Sequence, residues 1–161
     1  MYRGTYLQKG IIGITLVILF TSASSYHSCI GFYKTYQCRI PEEKNFKQYG
    51  MVKSDQVKVA EPYVYQVILY GKKDYKIGVC TENGYAPVHF RLINAKTKKV
   101  IYDNMEDDYV ETIGLTIDNT SDIILEITVI NKKQKRTKEH NNIICLGVQI
   151  IWSKVPKLGF H

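Results

Sequence analysis

Asp122-Ile-Ile-Leu-Glu-Ile-Thr-Val129 puts Ile123, Leu125, Ile127 and Val129 on one side of the chain and Glu126 and Thr128 on the other. A repeat of two is the mark of a strand with one face buried and one face wet. Val88-His-Phe-Arg-Leu92 repeats the pattern, with Val88, Phe90 and Leu92 set against His89 and Arg91. Working outward, Tyr63 to Tyr70 runs into Gly71-Lys-Lys, and Asp74 to Cys80 resumes with Tyr75, Ile77 and Val79 on one face. Glu82-Asn-Gly84 signals a turn, and Ala95-Lys-Thr-Lys-Lys99 leads into the short strand Val100 to Tyr102, which closes a hairpin. Glu111 to Ile117 follows, with Ile113, Leu115 and Ile117 aligned. Asp118-Asn-Thr-Ser-Asp122 is built from residues that bond their own backbone in turns. The last strand, Ile143 to Trp152, aligns Ile144, Leu146, Val148, Ile150 and Trp152.

Seven to eight short strands, with turn signals about every eight to twelve residues, indicate an all-β antiparallel sandwich or small barrel. No long helical pattern separates them, so βαβ units are excluded. The tyrosine count, 13 against five Phe and one Trp, tilts the same way. One short helix is expected over 41–49. Pro41 suits a first helical position, Glu42 and Glu43 complement the helix dipole, and Gly50 serves as a stop. Phe46 and Tyr49 would then dock that helix on the sheet.

The first 23 residues read as a signal peptide. Arg3 and Lys9 precede an apolar run over 10–20, and Thr21 and Ala23 supply the small-x-small pattern for cleavage. About eleven apolar residues are fewer than the roughly 20 that span a bilayer, so a membrane contact is expected only if this segment stays uncleaved. Its loss lowers the formal charge from +7 to +5, because it holds two basic residues and no acid. The expected organisation is therefore a signal peptide at 1–23, a lead-in over 24–56, a sandwich over 57–152 and a tail over 153–161. Cys29, Cys38, Cys80 and Cys145 all follow the cleavage point. In an oxidising compartment they are disulfide candidates with three possible pairings. No C-x2-C or His-pair spacing points to zinc.

Several stretches recur together in known proteins: Cys38-Arg-Ile-Pro41, Phe90-Arg-Leu-Ile-Asn94, Val100-Ile-Tyr-Asp-Asn104, Leu125-Glu-Ile-Thr-Val129, Cys145-Leu-Gly-Val-Gln-Ile150 and Pro156-Lys-Leu-Gly-Phe160. In that order they resemble small exported, uncharacterised β-sandwich proteins of the Bacteroidetes. More loosely, they are similar to the sandwich domains appended to secreted bacterial peptidases. The resemblance spans about residues 38–160 and implies a jelly-roll-like sandwich in the periplasm, cell envelope or medium. It carries over no catalytic residue.

The residues offer few sites for chemistry. Asp103, Asn104, Glu106, Asp107 and Asp108 hold enough oxygens for calcium, yet they lack the order and the glycine of a calcium loop. A solvated turn explains them equally well. His27, His89, His140 and His161 are scattered, and Cys80 and Cys145 sit in apolar strands that suit a disulfide better than a nucleophile. Lys132, Lys133, Lys135 and Arg136 lie in a basic loop that would attract an acidic glycan or an envelope surface. The same charges also suit a solvated loop, and no nucleic-acid partner is expected. Tyr63, Tyr65, Tyr85 and Tyr109 are the candidates for an aromatic binding face. The sequence thus predicts a non-catalytic exported module without cofactor that binds a glycan or a protein. The alternatives are a purely structural envelope component or a hydrolase with a scattered site. An aromatic patch would mark glycan or partner binding, a broad apolar patch a structural role, and a concave pocket an enzyme.

Overall fold

The computed structural model describes residues 28–41, 43–83, 85–130 and 142–155. The segment 1–23, expected to be a signal peptide, and the basic loop with Lys132, Lys133, Lys135 and Arg136 lie outside the described residues. Nine strands run in chain order: β1 Lys47–Gln48, β2 Lys53–Lys58, β3 Tyr63–Leu69, β4 Lys73–Thr81, β5 Val88–Asn94, β6 Val100–Asp103, β7 Thr112–Ile117, β8 Ser121–Val129 and β9 Ile143–Lys154.

Every pairing is antiparallel. The first sheet has the order β2-β9-β4-β7, with β1 also paired to β9, and the second has the order β3-β8-β5-β6. The pairs β5–β6, β4–β7, β3–β8 and β2–β9 describe one long hairpin, folded about the β5–β6 turn and rolled so that its halves stack. Contacts of β9 with β4 and of β8 with β5 close the roll. This is an eight-strand jelly roll, one form of the antiparallel sandwich that the alternating pattern indicated.

The period of two decides what the layers hold. Tyr75, Ile77, Val79, Ile144, Leu146, Val148 and Ile150 of the first sheet meet Val67, Leu69, Phe90, Leu92, Ile123, Leu125 and Ile127 of the second, all buried. The strands expected from sequence are present within a residue or two at each end.

The expected helix over 41–49 does not form. Asn45 has a φ of 82°, which breaks any helical run, and Lys47–Gln48 pairs with Trp152 and Ile151 as β1. The Tyr49 N–H then donates to the Ile150 carbonyl at 2.8 Å, so the backbone that a helix needs is already in the sheet. Tyr49 is buried and Phe46 only half-buried, and they share no helical face. The sandwich accordingly begins before residue 57, and β9 carries it two residues past 152.

The lead-in covers the outer face of the first sheet. Two 3-10 turns, Phe32–Lys34 and Tyr36–Cys38, bring it across β9 and β4, where Cys29 joins Cys145 and Cys38 joins Cys80. Two glycines make the room. A Cβ on Gly147 would stand 2.6 Å from the Cys80 Sγ, and one on Gly78 would stand 2.9 Å from the Ile40 side chain. Tyr33 N–H donates to Ser54 Oγ, and Ile40 N–H to Gln149 Oε1, each at 2.8 Å.

Candidate functional site

The two outer faces differ. That of the first sheet lies under the stapled lead-in, whereas among the described residues nothing covers that of the second sheet. Alternation places Val64, Gln66 and Ile68 of β3 outward, with Ile124 and Glu126 of β8, His89, Arg91 and Ile93 of β5, and Ile101 and Asp103 of β6. Register lines these up in rows. Val64, Glu126, Arg91 and Asp103 form one row across all four strands, and Gln66, Ile124 and Ile93 form the next.

The polar members are paired with one another. The Arg91 guanidinium donates to the Glu126 carboxylate through Nε at 3.1 Å and again through Nη2. His89 Nε2 meets Asp103 Oδ1 at 2.8 Å, and the Met105 N–H donates to the same oxygen at 3.0 Å. Burial works against the Asp103 charge, but the Met105 N–H, His89 and Arg91 together hold its pKa below the usual carboxylate value. The hydrogen bond to Glu126 raises the pKa of Arg91. Beside these pairs, Val64 is 57% exposed and Ile101 49%, with Ile68 open as well. The face is thus an aliphatic surface crossed by a paired charge row. Its strand residues include no Phe, Tyr or Trp.

The predicted site residues fall elsewhere. Tyr63 and Tyr65 do share a face, but it is the inner one. Tyr65 is buried, with its hydroxyl donating to the Met51 carbonyl. The Tyr63 hydroxyl donates to Asp55 Oδ2 and accepts from Lys53 Nζ, both at 2.9 Å. Tyr85 is half-buried against the core. Tyr109 stands half-buried at the end of the second sheet's face, its ring edge-on to His89 at 6.1 Å. The structure therefore brings no two of the four together as a platform, because the period of two sends alternate β3 residues inward.

The acidic cluster is likewise divided. Asn104 is fully buried, accepting from Phe90 N–H at 2.8 Å and donating to the carbonyls of Val88 and Val110 at 2.9 and 3.0 Å. Asp103 caps the short 3-10 turn Asn104–Asp107. Asp107 accepts from the Tyr102 hydroxyl at 2.8 Å. Burial, then that bond and the charges of Asp107, Asp103 and Glu106, push the Tyr102 pKa up to about 12. Glu106 and Asp108 face solvent. The oxygens counted toward calcium thus already have separate partners or separate directions. Among the described residues, three metal-ligating side chains converge only at Cys29, Cys145 and Glu82, where the two sulfurs are bonded to each other.

Two shallow clefts open on the described surface. One, of about 260 Å³, is bounded by Gln37, Thr81, Glu82, Asn83, Tyr85 and Glu111. The other, of about 340 Å³, lies against β7 between Phe46, Asp74, Lys76, Gly114 and Thr116. Neither holds a histidine, nor a Ser or free Cys that a base could activate. Sequence reasoning missed the exposed Val64, Ile68 and Ile101, although their positions follow from the alternation itself.

No protein-family model matches the chain, and no curated protein matches it. Among solved structures it is similar to the crystal structure of Aeromonas hydrophila PliG, a periplasmic lysozyme inhibitor of g-type lysozyme. The two share 6% identity over 71% of this chain and 90% of that one, with a TM-score of 0.40. A likeness at that level says nothing about what this chain does.

Proposed function

We propose that this protein is a non-catalytic exported module that docks a protein partner on the outer face of its second sheet. The observation carrying this reading is that face: exposed aliphatic side chains flanking an internally paired charge row. Glycan sites rest on aromatic platforms that stack against sugar rings, and this face supplies none. Protein interfaces combine apolar side chains with polar groups that keep their hydrogen bonds, and this face carries both. Export is supported by the signal-like leader and by two disulfides that use all four cysteines, chemistry that persists in oxidising compartments.

Site-specific photocrosslinking in cells that make the protein tests the reading. A benzophenone side chain at Gln66 or Thr128, on the bare face, should yield one discrete protein adduct, whereas one at Lys58, in the first sheet, should yield none. The paired substitution Val64→Asp and Ile68→Asp should remove the adduct without unfolding the domain, since both side chains are exposed. Equal adducts from both sheets, or binding to an acidic polysaccharide that survives the paired substitution, would sink the reading.

A further inference from the structure

Among the described residues, β7 pairs with β4 on one side and with no strand on the other. The Val79 N–H donates to the Glu111 carbonyl at 2.9 Å, which makes Val79 and Glu111 a hydrogen-bonded pair of the β4–β7 ladder. Such pairs alternate in an antiparallel ladder. Counting along the register, Ile113 and Leu115 bond inward to Ile77 and Tyr75, while Thr112, Gly114 and Thr116 turn their N–H and C=O groups away from the sheet. No other described strand pairs with them.

Three features say what would fit. First, the edge offers backbone donors and acceptors, so its complement is an extended backbone. Second, Gly114 leaves a gap on the outer face, where an added Cβ would meet nothing nearer than the Tyr75 carbonyl at 3.9 Å. The cleft of about 340 Å³ opens there, walled by the Phe46 ring and Lys76. A strand residue opposite Gly114 points to this same face, so a medium apolar side chain would enter the cleft. Third, the six residues of β7 carry no charge, but exposed Glu111 and Asp118 bracket them. Basic residues at both ends of the added strand would complement those acids.

The same bracket disfavours a second copy of this chain. Antiparallel pairing of two β7 strands about Gly114 sets Glu111 opposite Ile117 and hence beside the other copy's Asp118, at both ends. Neither acid then faces a basic partner, and Gly114 opposite Gly114 leaves the cleft unfilled. We propose that β7 adds, as a further strand, an extended segment of a partner protein that carries an apolar residue opposite Gly114 and a basic residue at each end.

The probe is a fluorescent antiparallel peptide, Lys-Val-Thr-Val-Leu-Val-Thr-Lys, with its Glu-ended and Leu-to-Gly counterparts, read by anisotropy on the folded, oxidised protein. The Lys-ended peptide should bind in the micromolar range, with the Glu-ended form at least tenfold weaker and the Leu-to-Gly form about fivefold weaker. Added peptide should slow amide exchange at Thr112, Gly114 and Thr116 and leave Ile113 and Leu115 unchanged, since those two are already paired. Gly114→Pro removes one outward N–H, a change that edge strands tolerate, and should abolish binding. Gly114→Val, which keeps the N–H and fills the gap, should weaken the Leu peptide and leave the Leu-to-Gly peptide unaffected. Equal binding of Lys-ended and Glu-ended peptides, or unslowed exchange at the three amides, would overturn the proposal. So would a dimer in sedimentation that Gly114→Val or Gly114→Pro dissolves, because it would assign the edge to a second copy.

Discussion

The two long sides of the sandwich are closed in different ways. Where β2 faces β3, tyrosine hydroxyls cross from one sheet to the other. Tyr49 of the first sheet donates to the Ile68 carbonyl, and Tyr75 accepts from the Tyr70 N–H at 2.8 Å and donates to its carbonyl at 3.1 Å. In the reverse direction, Tyr65 reaches Met51, and Tyr63 reaches Lys53 and Asp55. Where β6 faces β7 no such lacing occurs among the described residues, and the buried Asn104 side chain ties Phe90, Val88 and Val110 together. A tyrosine combines an apolar ring that fills the core with a polar tip that reaches a backbone group at the rim. That gives a physical use for four of the 13 tyrosines, all on the side that they close.

The largest effect expected is on the lead-in that feeds the laced side. Cys29–Cys145 closes 116 residues of chain and Cys38–Cys80 closes 42. By the chain-entropy model, each contributes about 4–5 kcal/mol. Replacing Cys38 and Cys80 together by Ala should lower the urea-unfolding free energy by about that amount. Exchange protection should be lost first at Tyr33, Ile40 and Tyr49, ahead of β7. A variant that loses protection at β7 first would break the link between staple and lacing.

Asn104→Ala comes next. It leaves the buried Phe90 N–H and two carbonyls without partners, at a cost of about 3 kcal/mol or more in urea unfolding. Its size shows what could be read from sequence and what could not. In Asp103-Asn-Met-Glu-Asp-Asp108 the asparagine looks like one more oxygen in an acidic turn, because composition carries no depth. The fold's alternation was legible from Ile123, Leu125, Ile127 and Val129, since a strand repeats its environment every second residue. The same logic placed Tyr63 and Tyr65 together, but it could not say which face was the inner one until β8 and β2 were placed against them. The helix expected over 41–49 failed for a related reason. Local signals at Pro41 and Gly50 were outweighed by the free edge of β9, a partner distant in sequence.

The lacing itself should respond to pH. Burial is the leading cause that pushes Tyr49 up to about 12, and it also raises Tyr63, Tyr65 and Tyr75. A group whose folded pKa is raised holds its full contribution below the unfolded value, near 10 for tyrosine, and loses it as pH rises toward the folded value. Stability, followed by urea midpoints, should therefore be level up to about pH 9.5 and fall from there to about pH 12. Tyr75→Phe should cost about 1–2 kcal/mol at neutral pH, because the Tyr70 backbone loses its partner. It should also make the alkaline limb shallower. An unchanged limb in the Tyr49→Phe and Tyr75→Phe double variant would remove the lacing from the explanation.

The smallest effect sharpens the contrast most. Thr116 of β7 donates its hydroxyl to Asp74 Oδ1 at 2.7 Å, a short hydrogen bond with an ionised partner. By its length it is a full hydrogen bond. The bond itself is exposed, however, so water replaces it when it is lost, and valine suits a strand at least as well as threonine. Thr116→Val should change stability by less than about 0.5 kcal/mol, as ordinary surface substitutions do, whereas Tyr65→Phe should cost about 1–2 kcal/mol. Because the substitution leaves the outward N–H and C=O of residue 116 in place, peptide addition at β7 should also persist. Comparable losses from the two substitutions would mean that the open side is held by its surface contacts after all. Near-neutrality at Thr116 with peptide addition intact would mean that this side contributes little to folding through its side chains and keeps its backbone free for a partner.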